Sequence, residues 1–140
     1  MTTAEFGDRP HDGLMLWALA LSGGLALGVV WPGAVPFVVL LVLSPLIEEA
    51  VFRVGLADTL FRRGVAPWLV IVLTAAAFGA AHAVVRNDLA AIAVALPALV
   101  IGAVHAQWRR LRWCVLLHAA MNAVWFVWAT AGRPAATFWP

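Results

Sequence analysis

Long apolar blocks alternate with short polar links along this chain. The blocks run from Leu14 to Trp31, Val35 to about Leu56, Pro67 to Val85, Leu89 to Ala106 and Trp113 to Ala131. Each is close to the roughly 20 mostly apolar residues that a spanning helix needs. The links hold the residues that interrupt helices or stay in water. Pro32, Gly33 and Pro36 make the first turn, and Asp58, Thr59, Arg62, Arg63 and Gly64 the second. Arg86, Asn87 and Asp88 form a tight third link, and Arg109, Arg110 and Arg112 the fourth. Pro67 suits the first turn of the third block, where a missing N–H costs nothing. The pattern predicts an all-α polytopic transmembrane helix bundle of about five spans. It reads as one membrane domain, 14–131, between a polar head, 1–13, and a short tail, 132–140. The head, with Glu5, Asp8, Arg9 and Asp12, lacks the positive charge of a signal peptide. The block behind it has the length of a span, so it reads as retained and uncleaved.

Composition sharpens this. Of 140 residues, 64% are hydrophobic and 11% charged, and the mean hydropathy is +0.95. A soluble domain carries about a quarter charged residues, and one this small cannot hide so much apolar surface from water. An ordinary soluble enzyme, a disordered tail and a nucleic-acid module are thereby excluded. The pI near 10.0 does not alter that, because the net charge is only +2. A single cysteine, Cys114, rules out a disulfide framework. All nine cations are arginine, a base-composition bias without functional content.

Charge does set an expected orientation. Five passes put Arg9, Arg62, Arg63, Arg109, Arg110 and Arg112 on one side, and only Arg86 and Arg133 on the other. The positive-inside rule then places the N-terminus in the cytoplasm. Trp31, Trp68, Trp108 and Trp113 fall at span ends, where interfacial tryptophans anchor helices.

The informative residues are the polar ones inside the spans, since each ionisable group there costs a few kcal/mol on insertion scales. The second block holds Glu48, Glu49 and Arg53. Glu49 and Arg53, four apart, share a helix face and are expected to pair structurally. Glu48 projects about 100° away from Glu49 and has no local cation, so it is free to exchange protons with water. The third block contributes His82, among small residues that let a neighbouring helix approach. The fifth contributes His118 and Asn122 on one face, able together to donate hydrogen bonds to a developing oxyanion. His105, near a span end, reads as an interhelical hydrogen-bonding residue, and His11 in the head carries no signal.

Glu48-Glu49-x-x-x-Arg53, Phe78-x-x-x-His82 and His118-x-x-x-Asn122, in this order and each on an apolar helix, resemble the three motifs of the CPBP family. This family, also called ABI, comprises CAAX-type prenyl endopeptidases and bacteriocin-processing proteases of the glutamate intramembrane type. The resemblance covers about residues 34–131. It implies that Glu48 activates the hydrolytic water with help from His82, and that His118 and Asn122 bind the carbonyl oxygen of the tetrahedral intermediate. It gives Glu49 and Arg53 a supporting role and makes Phe78 the aromatic packed near the site. It also implies direct attack of water, without an acyl-enzyme, a metal or another cofactor. Cys114 and Ser44 are then bystanders.

The residues leave other readings open. Glu48, His82 and His118 are reasonable ligands for a two-His-one-carboxylate metal site, although His-Glu-x-x-His is absent. Intramembrane Glu and His also mark proton paths, so a proton-coupled transport or channel module is an alternative. Gly24-x-x-x-Gly28 offers a packing face for a homo-oligomer or a partner membrane protein in that case. A third reading is an inactive immunity or scaffold protein with the family core. The expected partners of the protease reading are the lipid bilayer and a membrane-associated protein or peptide. The substrate would be a prenylated tail, a peptide leader or a C-terminal sorting tail. The expected location is a bacterial cytoplasmic (inner) membrane.

Overall fold

A computed structural model describes residues 10–131, with side chains from residue 18 onward. Residues 1–9 of the expected head, the His11 side chain and the tail 132–140, with Arg9 and Arg133, lie outside the described residues. The described residues form helices and no strand: α1 (Pro10–Val30), α2 (Pro32–Arg62), α3 (Pro67–Arg86), α4 (Leu89–Trp108) and α5 (Leu111–Thr130). Helices α2 to α5 are each long and apolar enough to cross a membrane, and Ala18–Val30 of α1 is a shorter apolar stretch. The chain is thus an all-α polytopic membrane bundle.

The second helix departs most from expectation. It does not stop near Leu56 but continues through Asp58, Thr59 and Arg62, so the link shrinks to a few residues. Thr59 and Arg62 are satisfied on the helix itself. Thr59 Oγ1 donates to the Gly55 carbonyl at 2.6 Å, and Arg62 donates to Thr59 Oγ1 at 2.8 Å. The chain then reverses at Gly64, whose φ of +76° suits a residue without Cβ, and Pro67 opens α3.

Within α2 the backbone slips from α to π register over Val39–Leu43 and again over Ala50–Ala57. Short π stretches in helices often mark functional sites, and here they flank Glu48 and Glu49. The first has a visible local cause. Ser44 N–H bonds to the Val39 carbonyl, five residues back. The next donor in that register would serve Leu40, but residue 45 is proline and has no N–H. The Leu40 carbonyl is left for another partner.

Helices α3 and α4 pack most closely, around Ala75, Phe78 and Ala98, with Phe52 of α2 and Val94 and Leu99 against them. Gly79 makes this approach feasible. A Cβ there would lie 2.8 Å from the Ile92 carbonyl oxygen and 2.9 Å from Ala95 Cβ. The outer surface is apolar, as lipid-facing helices require: Val84, Val85, Leu89 and Trp128 are three-quarters or more exposed. Trp31, Trp68, Trp108 and Trp113 are exposed at helix ends. The Gly24-x-x-x-Gly28 face packs against the chain's own α2. It is taken up within the chain, because a Cβ at Gly24 would meet Val38 at 2.9 Å and one at Gly28 would meet Val35 at 3.3 Å.

Candidate active site

Three helices deliver the motif side chains to one cavity of about 190 Å³. Its lining includes Ser44 and Glu48 from α2, Phe78, His82 and Arg86 from α3, and His118 and Asn122 from α5. His82 lies near the end of α3, yet it reaches the level of Glu48 at the middle of the long α2. Glu48 Oε2 lies 3.7 Å from His82 Nε2 and 3.7 Å from His118 Nε2. That oxygen is buried and has no hydrogen-bond partner among the described residues.

Each of the other groups is held by something specific. Ser44 Oγ donates to Glu48 Oε1. The sequence reading gave Ser44 no role, although its place one turn before Glu48 puts both on one face. His82 Nδ1 lies 3.0 Å from the Phe78 carbonyl oxygen, which can only accept, so Nδ1 carries the proton. In the neutral ring Nε2 then presents a lone pair toward Glu48. Phe78 is 3% exposed, and its ring sits 4.4 Å from the His82 ring and 5.8 Å from the His118 ring by centroid. It fills the space between the two imidazoles with apolar material.

Glu49 and Arg53 do pair, Arg53 Nε donating to Glu49 Oε2 at 2.7 Å with both side chains fully buried. The guanidinium also donates to Thr74 Oγ1 and the Ala98 carbonyl, each at 3.3 Å. Gly102 lies beside it and against α3, where a Cβ would sit 3.2 Å from Ile71 Cγ2. The pair is more than self-neutralising. Glu49 Oε1 accepts from His118 Nδ1 at 2.8 Å, a contact 69 residues apart in sequence. Glu49 therefore fixes the His118 ring and, in the neutral ring, puts the Nε2 lone pair toward Glu48.

Asn122 Nδ2 donates to the Leu40 carbonyl at 2.9 Å. This is the acceptor freed by Pro45, so an imperfection in α2 becomes the anchor of a cavity residue on α5. One N–H of the carboxamide is used there, and the second remains for the cavity.

The remaining candidates lie elsewhere. His105 does not line the cavity and is not alone. Its Nε2 is 2.9 Å from Asp58 Oδ1, which also accepts from Arg109 at 2.7 Å. Arg109 in turn covers the Phe61 ring at 3.6 Å. This clamp ties the end of α2 to the end of α4, the interhelical role the sequence suggested for His105. Cys114 is fully buried beside His105, with Sγ 3.8 Å from its Nδ1. Among the described residues no group of three or more His, Cys, Asp or Glu side chains is arranged to hold a metal ion.

Replacing Ser44 by alanine is expected to keep the fold and lower turnover about tenfold, the worth of one hydrogen bond to a charged group. Single-turnover rates in detergent check this.

No curated protein and no solved structure matches the chain. A family model described as "Type II CAAX prenyl endopeptidase Rce1-like" matches residues 29–124, well over half of the chain and all of the cavity's motif residues. The chain belongs to the Rce1-like family of CAAX-type intramembrane proteases.

Proposed function

We propose that this protein hydrolyses a peptide bond in a membrane-associated protein or peptide, with Glu48 and His82 activating a water molecule for direct attack. The observation that carries the reading is the Glu48 Oε2 atom, buried between two imidazole nitrogens and without a hydrogen-bond partner among the described residues. A buried polar atom without a partner costs about 1–3 kcal/mol. Carboxylate and neutral Nε2 both accept, so a group that satisfies them must bring two protons. Water does so, and one molecule about 2.8 Å from each atom spans the 3.7 Å separations.

In the reaction the water oxygen bonds to the scissile carbonyl carbon and its proton passes to Glu48, with His82 holding the water in line. The carbonyl oxygen becomes an oxyanion, which accepts from the free N–H of Asn122, with His118 beside it as the second residue that binds this oxygen. Collapse of the tetrahedral intermediate expels the amine, which takes the proton from Glu48. The enzyme needs neither an acyl intermediate nor a metal in this scheme. The work is done by a single transmembrane domain, 14–131, in a bacterial inner membrane with its N-terminus in the cytoplasm. A processing or sorting role is the reading we favour for it.

The test is cleavage of a fluorogenic prenylated CAAX peptide by purified protein in liposomes containing EDTA. Cleavage is expected with and without the chelator. Loss of activity in EDTA, restored by a divalent metal, overturns the metal-free scheme. No cleavage by inserted, folded protein of this peptide, of a leader peptide or of a C-terminal sorting tail returns the chain to the inert-scaffold reading.

A further inference from the structure

The cavity has one feature that water activation does not use. Arg86 lines it as the one arginine among the described lining residues, is exposed at the end of α3, and its side chain has no ion-pair or hydrogen-bond partner among the described residues. It is four residues beyond His82 and so lies one turn further along the same face of α3, about 5–6 Å away. Most of the remaining lining is apolar, with Leu40, Val94, Ile101, Met121 and Trp125. An exposed guanidinium at the rim of such a surface gains most from an anion that enters with the substrate, because the bound substrate itself then screens the pair from water.

We infer that Arg86 is a specificity-determining residue that binds the free C-terminal carboxylate of the substrate. This rests on the protease reading above. The distances set the register. One turn of helix plus the reach of the arginine arm places the anion roughly 6–10 Å from the attacked carbonyl. An extended peptide advances about 3.3 Å per residue, so the terminus lies two or three residues beyond the scissile bond. A cavity of about 190 Å³, below the 300–1,000 Å³ of typical ligand pockets, suits a short leaving fragment with its carboxylate at the rim. A guanidinium takes a carboxylate through two parallel N–H···O bonds, which a terminal amide cannot match.

The experiment compares a fluorogenic prenylated CAAX peptide bearing a free C-terminal carboxylate with the same peptide amidated, in liposomes of zwitterionic and of anionic lipid. Wild type is expected to prefer the carboxylate by roughly ten- to a hundredfold in kcat/KM, mostly through KM. Arg86→Gln should cleave both peptides at the amide's rate, and Arg86→Lys should recover part of the preference. Equal cleavage of the two by wild type, or an undiminished preference in Arg86→Gln, overturns the inference. So does a loss equal for both peptides that follows lipid charge, which assigns Arg86 to a lipid phosphate. Binding of the two peptides to Glu48→Gln, read by fluorescence anisotropy, separates this from the protease reading. A carboxylate preference there that requires Arg86 supports the inference even if wild type cleaves neither, and its absence overturns it.

Discussion

Replacing Arg53 with methionine is expected to collapse the bundle to a fraction of its normal accumulation in the membrane. Arg53 is fully buried and binds Glu49, Thr74 and the Ala98 carbonyl, linking α2 to α3 and α4. Methionine fills much of the volume but leaves the Glu49 carboxylate buried without its cation. Breaking one side of such a pair costs about 3–5 kcal/mol, a large part of a domain's 5–15 kcal/mol. Thermal unfolding in detergent and the inserted fraction both read it. Glu49→Leu combined with Arg53→Met should recover most of the stability, because apolar replacement of a whole buried pair is often neutral or better. It should not recover activity, since His118 then loses the acceptor at 2.8 Å that fixes its ring. Normal stability of Arg53→Met alone contradicts this view of the pair, and full activity of the double variant contradicts the role of Glu49.

Glu48→Gln is expected to do the opposite, removing catalysis and sparing the fold. Glutamine keeps the shape and can still accept from Ser44. It carries no charge into the bilayer, so insertion should be as good as wild type or better. What it cannot do is take a proton from water. Positioned general bases contribute about 10²- to 10⁴-fold, and a loss of that size in kcat is the expected reading.

Much of this was legible in the sequence, and the reason is contrast. In spans of alanine, valine and leucine the few polar residues stand out, and Glu48, His82, His118 and Asn122 were identifiable before any geometry. Spacing also carried the Glu49–Arg53 pair, because i,i+4 neighbours meet on any helix. Contacts between distant helices had no such local signature. Nothing in the spacing says that Glu49 holds His118, or that Asp58 meets both His105 and Arg109. Two missed details did have a signal. Ser44 stands one turn before Glu48, and Pro45 inside an apolar helix must leave a carbonyl without a donor, that of Leu41 in α register and, after the slip to π register, that of Leu40. The end of α2 was misplaced because Asp58, Thr59 and Arg62 look like a loop by polarity. They remain helical because their side chains bond within the helix or to α4 and its following turn. The Gly24–Gly28 face was read as intermolecular because sequence does not say which helix lies against it.

The most direct measurement is the cleavage rate of one fluorogenic prenylated CAAX peptide by wild type and Glu48→Gln, reconstituted at equal inserted amounts in EDTA-containing liposomes. If Glu48 activates the water, wild type cleaves and Glu48→Gln falls by about 10²-fold or more with unchanged thermal stability. Equal rates for the two proteins contradict it.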